Sequence, residues 1–197
     1  MFVTVYDLNT GAIKRVINCM KPADAPLQAH AGEGWIEGNG DPLRQIVSND
    51  QIVSKPQLEL DVIEANLLAE ENRQKVNNER DRRINSGFPF AGTVFQFGQD
   101  SRENIQGAAS AATIAIMIEG AQPNDLRWHG GTEDFVFLDA QNVPVPMDAP
   151  TTILFGQLGA RWKSLHIFAA RALKDLPSLP TDFEDDAYWP KESDLVA

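Results

Sequence analysis

From Pro56 to Gly87 the chain reads PQLELDVIEANLLAEENRQKVNNERDRRINSG, with no glycine or proline between the two end residues. Proline can open a helix, because the N–H it lacks would have no partner there, and glycine commonly closes one. Ala, Leu, Glu, Gln and Arg dominate the interior, all of them strong helix formers. The spacing predicts one helix over about 57–85, roughly 45 Å long at 1.5 Å per residue. Its charges are sorted along the axis: Glu59, Asp61 and Glu64 lie near the start and Arg80, Arg82 and Arg83 near the end. That order complements the helix dipole.

One stripe of this helix runs Val62, Ala65, Ala69, Asn72, Val76, Glu79, Arg83 at alternating steps of three and four. This is heptad spacing, apolar only in its first half. A helix of this kind takes its stability from packing rather than from propensity, so it must dock on something. Two dockings stay open. The helix can pack against its own flanking domains, or it can bundle with copies of itself or a partner, Asn72 and Asn77 fixing the register. On the second reading Val62, Ala65, Ala69, Asn72 and Val76 are the candidate partner-binding positions.

The remaining chain sorts around that helix. MFVTVYDL and AIKRVINCM flank the turn signal Asn9-Thr10-Gly11 and predict a hairpin; LRQIV and QIVSK around Ser48-Asn49-Asp50 predict a second. Between them, Lys21 to His30 suits a short helical turn, and Trp35-Ile36 forms an apolar centre among glycines. Residues 1–55 therefore read as a small β-rich module of four or five strands, marginal alone. After Gly87, Phe88, Phe90, Phe95 and Phe97 predict a hairpin around Ala91-Gly92. Asp100, with Glu103 three residues on, predicts a helix start, and Ile105, Ala109, Ala112 and Ile116 its buried face. LRWHGGTEDFVFLDAQNVPVPM predicts another strand pair, with Trp128 opposite Phe135, Phe137 and Leu138. Thr151 to Lys174 predicts a closing helix with Leu154, Leu158, Trp162, Leu165 and Ala169 at helical spacing.

The fold class expected is α+β: a β-rich module over 1–55, a connecting helix over 56–86, and a compact domain of two hairpins and two helices over 87–174. Residues 175–197 form an acidic tail. It holds seven acids and three prolines before its last residues, a composition of low ordering tendency. Phe183, Tyr188 and Trp189 stand out in it as candidate anchors for a neighbouring chain.

Composition narrows the function classes. An apolar content of 43% suits a folded protein, and no apolar run approaches the ~20 residues of a membrane span. The start MFVTVYDLNTG lacks the basic and apolar regions of a signal peptide, so a cytoplasmic site of synthesis is expected. A net charge of −11 repels a phosphate backbone, so nucleic acid is not an expected partner. Cys19 is the only cysteine, which excludes an internal disulfide and a cysteine-based zinc site.

Residue patterns that resemble chemistry have plainer readings. Gly32-Glu33-Gly34 with Gly38 lacks the long strand and following helix of a dinucleotide loop. His129, near Glu133 and Asp134, has no second histidine at ligand spacing. His166 lies among apolar neighbours, His30 in a loop, and Glu184-Asp185-Asp186 lacks the alternating oxygens of a calcium loop. No catalytic residue, cofactor or metal is expected, and the chain is expected not to be an enzyme.

Arg80-Asp81-Arg82-Arg83-Ile84, Gly87, Phe90-Ala91-Gly92, Gln96 and Asp100-Ser101-Arg102-Glu103-Asn104-Ile105-Gln106-Gly107 carry a family likeness. This stretch resembles an uncharacterised domain found near the C-terminus of tailed-phage tail proteins, often labelled tail fibre or fibre assembly. Trp128, Phe137-Leu138 and the closing helix suit the same pattern. Tyr6-Asp7, Thr10-Gly11 and Trp35-Ile36-Glu37-Gly38 are similar to the N-terminal module that often precedes it, so the likeness spans roughly residues 1–174. It implies a non-enzymatic virion protein of a tailed phage, in the tail or fibre attachment region. Such a protein would be made in the host cytoplasm and would assemble with other tail proteins as a homo-oligomer, a trimer being one form. A fibre assembly chaperone that binds the fibre tip is the alternative. A host-surface binding module or hydrolase is a third, which would need a pocket of convergent polar groups.

Overall fold

The computed structural model describes residues 1–195. It is α+β, with five N-terminal strands, a long helix, then two hairpins and two further helices. The chain divides into two compact units, Met1–Glu71 and the remainder from Asn72, so the division falls inside the long helix rather than at its ends.

The first unit is built on β1 (Phe2–Asp7), paired antiparallel with β2 (Ile13–Asn18) on one side and β3 (Glu33–Glu37) on the other. Val3 and Val5 point to one face and bury completely with Cys19 and Ala25. Cys19 thus serves as a small apolar side chain. Thr4, on the central strand, is also fully buried. Its hydroxyl donates to the Gly38 carbonyl and accepts from the Gly40 N–H, both at 2.9 Å, which satisfies the group. Arg15 on β2 reaches Glu33 on β3 with a two-pronged contact of 2.9 and 2.7 Å. That guanidinium, with the His30 N–H, holds the Glu33 carboxyl down at about 2. Residues Pro22–Gln28 form the expected helical turn, as a 3-10 helix. The hairpin β4 (Gln45–Ser48) and β5 (Gln51–Ser54) turns through Asn49 and Asp50, both at positive φ, as a two-residue hairpin turn requires.

Helix α1 (Gln57–Ser86) ends where the sequence predicts. Gly87 has φ +143°, and a Cβ there would meet Val94 at 2.6 Å, so no other residue fits this stop. The Phe-rich hairpin follows as β6 (Phe88–Phe90) and β7 (Thr93–Phe95), turning at Ala91-Gly92. Helix α2 (Gln99–Ile114) starts one residue before Asp100. Its cap position is Gly98, which has no side chain to offer, so Asp100 is no cap. It lies in the first turn, where its charge meets the positive end of the dipole. The expected strand pair is confined to β8 (Val136–Leu138) and β9 (Pro144–Pro146). Trp128 is not on a strand: it sits in a turn, 4.6 Å from the Phe135 ring, and its indole N–H donates to the Met147 carbonyl at 3.0 Å. Helix α3 (Ala149–Lys174) is capped by Asp148, whose carboxylate accepts the Thr151 N–H at 2.9 Å.

The core of the second unit is aromatic. Phe155 of α3 lies 4.8–5.3 Å from the rings of Phe88, Phe90, Phe95 and Phe137. Trp162 joins this cluster and donates to the Gly87 carbonyl at 3.1 Å, tying α3 to the end of α1. Helices α2 and α3 pack through Ala109 and Gly156, where an added Cβ on the glycine would lie 2.5 Å from the alanine's. Of the expected core, Ile105, Ala109, Ala112 and Trp162 are buried, whereas Ile116, Phe137, Leu158 and Leu165 are half-buried. Phe137, Leu158 and Leu165 pack at the edge of the Phe cluster, and Ile116 packs against a separate cluster of Ala112, Ala115, Trp128 and Ala149.

Candidate functional site

The C-terminal segment is not a loose tail. After Lys174 it turns back, forms short 3-10 turns at Asp186–Tyr188 and Glu192–Leu195, and buries Phe183, Trp189 and Leu195. Phe183 and Trp189 pack with Val76 of α1 and with Ala170 and Leu173 of α3. The Trp189 indole N–H donates to the Phe183 carbonyl at 2.8 Å, so its one polar atom is satisfied inside the cluster. These two residues, expected as anchors for a neighbouring chain, are anchors on their own chain. Two large aromatics outweigh the ordering entropy of a short segment once a groove is present to receive them, and composition alone does not reveal the groove. Tyr188 is about two-thirds covered, 37% exposed, and its hydroxyl donates to the Asp182 carboxylate at 3.3 Å.

Charge closes the clasp. Glu79 of α1, 6% exposed, accepts from Arg82 and Arg83 at 2.6 Å. The Arg82 bond and then the Arg83 bond hold its carboxyl below the usual range, against the opposing effect of burial. Arg83 then reaches the tail, donating to the Asp186 carboxylate at 2.7 Å and the Glu184 carbonyl at 2.6 Å. Its guanidinium also lies 5.2 Å over the Trp189 ring. The pairing lowers the Asp186 pKa. Glu79 and Arg83, which end the heptad stripe in polar residues, are thus satisfied within one chain. Their signal was present in the sequence as three arginines at one helix end and an acid run in the tail.

A hollow of about 310 Å³ beside this clasp is lined by Ser86, Trp162, His166, Asp186 and Lys191, with Arg83. Serine, histidine and aspartate share it, yet they form no relay. The Ser86 hydroxyl donates to the Arg83 carbonyl at 2.8 Å, His166 Nδ1 donates to the Trp162 carbonyl at 3.0 Å, and Asp186 is held by Arg83. A nucleophile needs its base within hydrogen-bond reach and the base needs an orienting acid; each of these groups is instead turned to another partner. Burial lowers the His166 pKa, and the nearby Arg83 charge acts in the same direction. A second, open groove of about 530 Å³ lies along α2 and α3, with Arg102 and Lys163 at its rim and Gly156 and Gly159 in its floor. Among the described residues no group of three His, Cys, Asp or Glu side chains is placed to hold a metal ion. No helix among them is long and apolar enough to cross a membrane.

The stripe on α1 divides in two. Val76 is fully buried under the clasp and Asn72 is half-buried, so Val76 cannot face a partner. Val62, Ala65 and Ala69 are exposed, and Leu58 and Leu68 extend the same face, 77% and 57% exposed. The apolar half of the stripe is therefore the half presented to solvent.

No curated protein and no solved structure matches the chain. Residues 68–188 match a family model described as Domain of unknown function (DUF4376). The match opens in the middle of α1 and closes at Tyr188, beside the Trp189 anchor, so it takes in most of the clasping segment. Because it covers more than half of the 197 residues, the chain belongs to the DUF4376 family.

Proposed function

We propose that this protein is a structural component of a tailed-phage virion, in the tail or at the fibre attachment, and works by protein–protein association rather than catalysis. The observation that carries the reading is the first half of α1, where Leu58, Val62, Ala65, Leu68 and Ala69 form an exposed apolar stripe. Surfaces of that kind on a folded protein mark interaction sites. The placing of this surface in a phage tail rests on the sequence likeness around Arg80–Gly107. Several residues of that likeness hold the architecture: Gly87 stops α1, Ala91-Gly92 turns the hairpin, and Arg102 donates to the Phe97 carbonyl at 2.6 Å. Other tail proteins and copies of the chain are the partners of this reading. The protein would be synthesised in the host cytoplasm and carried in the particle. It needs no cofactor, and its net charge of −11 disfavours nucleic acid.

Quantitative mass spectrometry of purified virions tests it. Stoichiometric presence with other tail proteins is the expected result. Absence from virions, with the protein bound to fibre tips in infected cells, would identify an assembly chaperone instead.

A further inference from the structure

Residues 57–71 of α1 carry Glu59, Asp61, Glu64, Glu70 and Glu71 and no Lys or Arg. Their exposed stripe is therefore apolar and acidic together. A second copy of the same stripe is a poor partner for it, because Glu59 and Asp61 flank the seam and would face like charge. The basic second half of α1 would be a good partner, but Val76 and Glu79 are buried there under the C-terminal clasp.

Helix α3 has the complementary surface. It holds four bases and not one acid, within a chain of net charge −11; Lys174 donates to Asn77 of α1 at 2.9 Å and Lys163 lines the groove beside α2, which leaves Arg161 and Arg171 as the bases beside its exposed side. Its solvent side places Leu154, Arg161, Phe168 and Ala172 in line at helical spacing, and Phe168 is 69% exposed. Arg171 pairs with Asp175 at 2.7 Å, but both side chains stay mostly in solvent, so the guanidinium remains accessible to a second carboxylate. An apolar stripe flanked by acids and an apolar stripe flanked by bases meet the usual requirements of a specific helix–helix contact: a desolvated centre and opposite charge at the rim.

We propose that the acidic stripe of α1 in one copy docks on the basic face of α3 around Phe168 in a second copy. The inference rests on the association reading above and names its self-partner. The two surfaces differ, so the contact is head-to-tail, and repetition closes a ring if the rotation between copies allows it.

The test uses the full-length protein in analytical ultracentrifugation, with Val62→Glu and Phe168→Glu made separately. Both sites are exposed, and circular dichroism confirms that each variant keeps its fold. The wild type assembles at low salt and dissociates as ionic strength rises. Each variant alone weakens assembly by about thirtyfold or more, the effect expected when a central anchor is removed. Mixed together, the two variants form a one-to-one complex that grows no further, because a single intact interface remains between them. A wild type that is monomeric at all concentrations and salts overturns the proposal. So does assembly that is lost in Val62→Glu and intact in Phe168→Glu, which would mean that the α1 stripes pair with each other. Virion content separates this inference from the function: a ring-forming protein absent from particles sinks the tail reading alone, and a monomer present in particles sinks the ring alone.

Discussion

The His166 imidazole stacks on the Trp189 indole, with ring centroids 6.1 Å apart and planes 24° from parallel. Trp162 meets the same imidazole edge-on at 4.5 Å. A residue near the C-terminus is thereby built into the packing of α3, and the last segment of the described chain is part of the domain's core.

Truncation after Lys174 should therefore unfold or strongly destabilise the second unit. It would expose Val76, Ala170 and Leu173 and leave Glu79 and Arg83 without their cover. Trp189→Ala is the milder version and should cost about 3 kcal/mol, as large-to-small aromatic substitutions do in other cores. Chemical denaturation followed by circular dichroism measures both, and a truncated protein with an unchanged midpoint would return the segment to the status of a free tail.

Acid should loosen the same clasp. His166 has an ordinary value of 6.5 that burial lowers in the fold, so the unfolded chain binds its proton first. Stability from this group is complete above about 6.5 and declines as pH falls below it, because the unfolded state then holds more protons. A proton on the imidazole would also face Arg83 and Lys191 across the hollow, with Asp186 the one acid lining it. Further down, Asp186 and Glu79 lose the charges that hold the arginines. Trp fluorescence melts from pH 7.5 to 5 should fall steadily, and His166→Gln should flatten the upper part of that slope.

Trp162→Ala should cost roughly 3–5 kcal/mol. It removes a side chain 8% exposed, opens the Phe cluster, and leaves the Gly87 carbonyl without its donor. A thermal melt matching the wild type would contradict the packing described.

Two helix glycines should respond oppositely to alanine. At Gly156 the new Cβ would lie 2.5 Å from that of Ala109, so α2 and α3 must move apart, at a cost of about 1–3 kcal/mol. At Gly107 nothing lies within 4 Å, and Gly107→Ala should stabilise α2 by about 0.5–1 kcal/mol through propensity alone. Melting temperatures of the pair, each against wild type, check both signs.

Local rules determined the elements. Pro56 and Gly87 bracket α1 because one lacks a donor and the other tolerates a positive φ, and neither property depends on the rest of the fold. Asn49-Asp50 and Ala91-Gly92 set their hairpins in the same local way, and the spacing of Ile105, Ala109 and Ala112 marked the buried face of α2. Tertiary structure decided where the ambiguous surfaces went. The stripe from Val62 to Val76 reads as one seam in sequence, yet its end is covered by Phe183 and Trp189, from more than a hundred residues away. Its start is left in solvent. Periodicity specifies which residues share a face, but what covers that face depends on contacts between distant segments. The acid-rich tail makes the same point: its composition predicts little order, and only a groove shaped by α1 and α3, with Arg83 at its rim, supplies the burial and the charge that fold it.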